Sequence, residues 1–212
     1  FSINGRATDE NCLKISGSPT TAGAFITEIN ATNSAGTSSA FIPFTIWPEN
    51  NQTYAIVDLT PGTNSAHYDV SFSNLLPADW NGSKFKSDKI LLKRVNPGTF
   101  TMGDMNGSGA SDEKPTRLVT LTKGFWLGVY EVTGDQYKAI TGNLPSQSTT
   151  GILPANYLSW NTIRGGSWPE GDRLPAENSF IAKLRTKTGI NSFDLPTEAQ
   201  WEYACRAGTT TK

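Results

Sequence analysis

The loop Asp104-Met105-Asn106-Gly107-Ser108-Gly109 sets oxygen-bearing side chains at alternate positions with glycine at the sixth, as the start of a calcium loop does. A complete EF-hand loop needs a bidentate Glu at its twelfth position, and Pro115 stands there. Two readings remain: a solvated polar loop, the commoner meaning of such a stretch, and a weak site of oxygen ligands. Cys12, Cys205 and His67 are too few soft ligands for a Cys/His zinc site. A Ser-His-Asp or Cys-His mechanism would rest wholly on His67, which sits between Ala66 and Tyr68 in an expected strand and reads as structural. Cys205 falls on the apolar side of a helix and reads as a small hydrophobe. Its alternative is a disulfide to a partner outside this sequence, since pairing with Cys12 would join separate modules. Asp112 and Glu113 are adjacent, so their side chains diverge and form no carboxylate dyad by spacing. The phosphate-cradling patterns G-x-x-x-x-G-K-[ST] and G-x-G-x-x-G are absent, as are H-E-x-x-H and G-x-S-x-G. No residue is therefore assigned a catalytic, cofactor-binding or metal-ligating role.

Bulk properties exclude more than they identify. The 212 residues are 36% hydrophobic and 17% charged, and 18 basic side chains against 19 acidic ones leave a net charge of −1. That balance offers no electrostatic reason to expect a nucleic acid partner. Apolar runs such as Ile90-Leu91-Leu92 are far shorter than the ~18 residues of a membrane span. The chain opens at Phe1-Ser2-Ile3-Asn4, with no initiator methionine or signal segment, and closes at Thr209-Thr210-Thr211-Lys212 directly behind a helix. It reads as a piece of a longer chain. Sequons at Asn30, Asn51, Asn81 and Asn106 lie in polar stretches that generate them by chance.

The elements that must position any site divide the chain into three parts. Residues 1–48 read as β: Phe25, Thr27, Ile29 and Ala31 alternate with Ile26, Glu28, Asn30 and Thr32, and Ala40, Ile42, Phe44 and Ile46 repeat the pattern. Asn33-Ser34-Ala35-Gly36-Thr37 supplies the tight connection between them. Leu13-Lys14-Ile15 reads as a short strand ahead of a turn over 16–23. After a polar break at Trp47-Pro48-Glu49-Asn50-Asn51-Gln52, residues 49–88 form a β-rich connecting segment, with strands expected at 54–59 and 68–72. Residues 89–212 begin with strands at 89–95 and 98–102 and then change period. Thr133-Gly134-Asp135-Gln136 is a capping box opening a helix that Gly142 stops. A second helix is expected from about Ala176 to Thr188, with Phe180, Ile181 and Leu184 on one face and Gly189 after it. Thr197-Glu198-Ala199-Gln200 opens a third, placing Trp201, Ala204 and Cys205 on one apolar face and ending at Gly208. Strands with short helices make the class α+β. Trp126, Trp160, Trp168 and Trp201 fall in this part; Trp160 and Trp201 read as core.

Two resemblances follow from these residues. Leu13 to Ile46, with Ile15-Ser16-Gly17-Ser18-Pro19-Thr20-Thr21-Ala22-Gly23 and Ala31-Thr32-Asn33-Ser34-Ala35-Gly36, resembles part of the bacterial Ig-type repeat of surface and secreted proteins, and implies a partial Ig-like β-sandwich. From Lys93, the ordered motifs Val95 to Gly103, Asp112-Glu113-Lys114-Pro115, Val119-Thr120-Leu121, Phe125 to Thr133, Leu153-Pro154-Ala155, Ser159-Trp160 and Leu195 to Ala204 resemble the formylglycine-generating, sulfatase-modifying-factor domain. They cover its N-terminal half, about 120 residues.

This second resemblance implies a C-type-lectin-related fold. It also implies an enzyme that oxidises a cysteine of a client sulfatase to formylglycine, with molecular oxygen and a copper ion held by two cysteines. Those cysteines and the family's calcium ligands belong to the second half, so copper and calcium are expected only in the intact domain. The tract Asn161 to Pro169 departs from the plain helix expected after Ser159-Trp160. Two functions are weighed: this oxidase, acting on a sulfatase polypeptide, and a non-catalytic lectin-like module binding a carbohydrate or protein. Low cysteine content and the Ig-type repeat suit an exported bacterial protein, whether periplasmic, secreted or at the cell surface. Half a domain also leaves helix faces without partners. Residues 90–212 expressed alone are thus expected to aggregate or melt without cooperativity in calorimetry; a sharp two-state melt would refute the half-domain idea.

Overall fold

A computed structural model describes residues 23–33, 36–46, 52–145, 147–166 and 174–209. The expected strand at 13–15, the turn before residue 23, Cys12, the break at 47–51 and Trp168 lie outside these residues.

The period-2 patterns become a hairpin. Strands β1 (Gly23–Asn33) and β2 (Gly36–Ile46) pair antiparallel from Gly23 opposite Ile46 to Asn33 opposite Gly36. The register sets Phe25 across from Phe44 and Ile29 across from Ala40, so the two alternating sets meet in the ladder. Among the described residues, 1–48 contributes this one hairpin, and no two-sheet sandwich is seen there.

A four-stranded antiparallel sheet follows, built from β3 (Tyr54–Asp58), β4 (Val70–Ser73), β5 (Lys89–Val95) and β8 (Phe125–Gly128) in the order β4-β3-β5-β8. The stretch 49–88 thus enters the same sheet as β5. Alternation in β3 buries Ala55 and Val57, whereas Ile90, Leu91 and Leu92 of the inner strand β5 are all buried. A consecutive apolar run suits a strand covered on both faces. A further two-stranded sheet is the hairpin of β6 (Gly98–Met102) and β7 (Arg117–Leu121).

Four helices accompany the sheets among the described residues. Helix α1 (Gly134–Thr141) and α3 (Phe180–Thr188) supply Tyr137, Ile140, Phe180, Ile181 and Leu184 to one core with Ala55, Val57, Ile90 and Leu92. Burying each of these larger apolar side chains stabilises the fold by about 1.5–3 kcal/mol. Tyr137 and Phe180 stack with centroids 5.1 Å apart. The α3 helix begins later than the apolar pattern suggests, because Ser179 caps it by accepting from the Ala182 N–H. A further helix, α2 (Trp160–Arg164), is one short turn capped by Ser159 and stopped at Gly165. Helix α4 (Glu198–Arg206) ends at Ala207 in the left-handed region, one residue short of the expected glycine. The architecture is α+β. Among the described residues no helix is long and apolar enough to cross a membrane.

One junction sets where α1 stands. Thr133 and Gln136 are both 2% exposed and form the expected capping box: the Gln136 N–H donates to Thr133 Oγ1, and the Thr133 N–H to Gln136 Oε1. Their remaining polar atoms reach outside the helix. Gln136 Nε2 donates to Phe85 O at 3.1 Å and Lys89 O at 2.7 Å, and Thr133 Oγ1 donates to Lys86 O at 2.6 Å. Helix α1 is thereby held to the 3-10 turn Ser83–Lys86 and the start of β5. Close by, a Cβ on Gly134 would lie 2.1 Å from Thr149 O, so that position requires glycine. Gln136→Ala leaves two buried carbonyls and one buried N–H without these partners and is expected to cost about 3 kcal/mol. Urea unfolding checks this as a lower midpoint at unchanged slope.

Candidate functional site

The calcium-like loop is organised from within by its first residue. The Asp104 side chain is fully buried; it accepts from the Asn106 N–H at 3.0 Å and the Gly109 N–H at 2.6 Å, with Lys114 Nζ 3.8 Å away. Lys114 itself donates to Gly107 O. The carboxylate thus serves N–H donors and an ammonium, a set of positive dipoles and charge that opposes a cation at the same oxygens.

Behind this loop, α4 docks on the β6–β7 hairpin with a face the apolar pattern did not indicate. Glu202 Oε1 accepts the Gly103 N–H at 2.9 Å, and the guanidinium of Arg206 donates to both Glu202 and Gly103 O. The two side chains together satisfy both backbone polar groups of Gly103. Tyr203 packs on Phe100 at 5.3 Å between centroids, and its hydroxyl fills the space above Gly98 where a Cβ would sit 2.1 Å away. Trp201 and Cys205 therefore point outward. Trp201 is 58% exposed and Cys205 is an exposed free thiol, which corrects their expected place in the core. The hairpin lacks side chains at Gly98 and Gly103, so it accepts aromatic and polar groups there rather than an apolar ridge.

A second polar knot joins α2 to α3. Arg164, 8% exposed, grips Asp194 with Nε at 2.8 Å and Nη2 at 2.9 Å, and Arg185 Nη2 adds a bond at 2.9 Å. The Leu195 N–H also donates to Asp194, and Arg185 Nε to Phe193 O. Burial by itself pushes the Asp194 carboxyl up, but the Arg164 hydrogen bonds, the Leu195 amide and the two guanidiniums outweigh it and hold the carboxyl below its ordinary range. Trp160 is half-buried and lies under the Arg164 guanidinium at 5.4 Å, so it serves this knot rather than the core proper. A Cβ on Gly165 would collide with Ala176, which keeps the chain beyond α2 close to Arg164, where the Ala176 N–H donates to Arg164 O.

His67 lies ahead of β4, outside a strand. Its Nε2 is 3.3 Å from Asp69, and its Nδ1 is buried with no hydrogen-bond partner among the described residues. A shallow cleft of about 460 Å³ between Leu59–Thr63, Ser87–Asp88 and α1 is lined by Thr60, Asp88, Asp135 and Lys138, with no thiol or imidazole. Copper finds no fit among the described residues: Cys205 is the one thiol there, and no three His, Cys, Asp or Glu side chains stand together as a donor set.

Residues 84–212 match the model of the sulfatase-modifying factor enzyme 1-like domain. The chain belongs to that family. It is 27% identical over 154 residues to the formylglycine-generating enzyme of Mus musculus, covering 56% of this chain and 41% of that protein. It is also 26% identical over 157 residues to the "Chaperone protein LppX" of Paenibacillus barcinonensis, covering 66% of this chain and 52% of that protein. The chain thus spans about half, or less, of the length of the curated relatives it matches. No solved structure gives a significant match. In this family member the matched motifs serve as scaffold: Thr133 and Gln136 fasten α1, and Glu202, Tyr203 and Arg206 fasten α4.

The i, i+4 spacing of Glu202 and Arg206 was a visible signal for a helical ion pair. Nothing local in the sequence joins Arg164 to Asp194, 30 positions apart. Asp194→Asn is expected to destabilise the chain by about 2 kcal/mol at neutral pH, as the charge-assisted bonds weaken. Because the folded carboxyl titrates below its ordinary 3.8, its contribution is full above that value and fades as pH falls through the lower folded-state value. Thermal melts across pH 2–6 should therefore show a shallower acid decline for the variant than for the wild type.

Proposed function

We propose that this chain supplies the N-terminal scaffold of an oxidase that converts a sulfatase cysteine to formylglycine, within an exported bacterial protein. The observation that carries the reading is the family match over 84–212, together with the likeness to a curated formylglycine-generating enzyme. The Ig-type pattern of residues 13–46 supports the exported bacterial setting. In net terms, the cysteine CH2SH and O2 become an aldehyde, hydrogen sulfide and water on adding two electrons and two protons. The chemistry therefore needs a reductant besides oxygen. Copper supplies oxygen chemistry when bound, and its thiolate ligands belong to sequence equivalent to the remainder of the relatives' length. The present residues hold the frame against which that remainder packs; the second reading, a non-catalytic lectin-like binding module, draws on the large apolar side chains at the surface, Leu153, Tyr157 and Trp201.

The test uses protein extended to the length of the curated relatives, loaded with copper, and given a sulfatase-derived cysteine peptide with a dithiol. Aldehyde in the peptide by mass spectrometry, with matching oxygen uptake, is the expected result, and residues 1–212 alone should yield none. No aldehyde from the extended, copper-loaded protein would overturn the oxidase reading in favour of a binding module.

A further inference from the structure

The same tripeptide occurs twice among the described residues, as Asn81-Gly82-Ser83 and as Asn106-Gly107-Ser108. An Asn followed by Gly carries latent chemistry, because no Cβ keeps the next backbone nitrogen away from the Asn carboxamide. Identical tripeptides give the two sites closely similar intrinsic reactivity, and both asparagines are exposed. What separates them is structure.

At the first site the nitrogen is held. The Gly82 N–H donates to Asp79 O at 2.8 Å, and a Cβ on Gly82 would sit 2.9 Å from that same oxygen. Asn81 O accepts from Lys86 Nζ, and the 3-10 turn Ser83–Lys86 follows directly, anchored by buried Phe85. The second site has no such tether. Gly107 is exposed at φ +75°, with nothing within 4 Å of where a Cβ would stand. Among the described residues no group accepts from the Gly107 N–H, and none bonds the Asn106 carboxamide. The loop is held instead at its other atoms: the Asn106 N–H donates to Asp104, and Gly107 O accepts from Lys114 Nζ.

We infer that Asn106 is a site of spontaneous deamidation and that Asn81 is protected from it. The Gly107 nitrogen, on losing its proton, attacks Asn106 Cγ. A C–N bond forms, and the side-chain nitrogen leaves as ammonia, closing a succinimide. Water then opens the ring at either carbonyl. Cleavage of the Cγ–N bond leaves an aspartate at position 106, and cleavage of the backbone C–N bond leaves an isoaspartyl link through Cβ and Cγ. Either route exchanges ammonia for water and adds one negative charge, with no oxidant or other co-reactant. The isoaspartyl link lengthens the backbone by one atom between the Asn106 N–H and Gly107 O, so the anchors at Asp104 and Lys114 no longer share one register. The site is independent of the oxidase reading, because it uses none of the copper or client chemistry.

The 1–212 chain, incubated in mildly alkaline buffer with and without urea, provides the test, each Asn-Gly peptide being followed by mass spectrometry. In urea the two sites should convert at similar rates. In the native protein Asn106 should convert about tenfold faster than Asn81, because the Gly82 hydrogen bond and its turn must first open. Enzymatic methylation specific for isoaspartate should label the native peptide that holds Asn106. Asn106→Gln should abolish that label with an unchanged circular dichroism spectrum. Equal native rates at the two sites, or no native conversion at Asn106, would overturn the inference. A rate difference that persists in urea would overturn it too, since the cause would then be sequence and not structure. These readouts are separate from aldehyde formation, so either reading can fail while the other stands.

Discussion

The amide of Gln136 is the constraint on which the placement of the first helix depends. One buried side chain receives a helix N-terminal N–H and donates to two carbonyls from different segments, Phe85 and Lys89. A primary amide has the right inventory for this, two donors and one acceptor oxygen, and no apolar residue of similar size could replace it without orphaning backbone groups. With α1 fixed against the start of β5, Tyr137 and Ile140 fall over the sheet, and α3 closes on them through Phe180. The same junction sets the loop beyond α1: the Gly134 N–H bonds to Leu153 O, the Ala155 N–H to Val132 O, and Asp135 receives the Gly151 N–H.

Polar side chains fasten the rest of the frame as well. Asp104 closes its own loop, Glu202 with Arg206 holds the backbone N–H and C=O of Gly103, and Arg164 with Arg185 holds Asp194. Short elements bury little apolar area, and each of these knots makes several charge-assisted hydrogen bonds at once. Such a frame tolerates long loops because the bonds run from side chain to backbone wherever the loops pass. It also explains why motifs that look like chemistry in the sequence, acids beside glycines above all, serve architecture here.

How much was legible varied with the range of the interaction. The bounds of β5 and β6, the two capping boxes and the buried face of α3 followed from periods and caps that act within a few residues. The apolar face of α4 was read correctly as a pattern and wrongly as a buried surface. Trp201 and Cys205 lie outward because Glu202, Tyr203 and Arg206 make the contact with the β6–β7 hairpin. Burial cannot be read from one helix when its partner is a hairpin with glycines at the contact. Likewise Trp160 supports Arg164, a pairing set by Asp194 far along the chain.

By itself, then, the sequence determined the α+β class, the main helix stops and the kinship with sulfatase-modifying factors. Caps, alternation and ordered motifs depend on neighbours a few positions away, so they survive without knowledge of the fold. Only the tertiary structure decided which helix faces are covered and which charges meet. Those outcomes depend on sheet order and on close approach at Gly98, Gly103 and Gly134, across separations of tens of residues that no local pattern encodes.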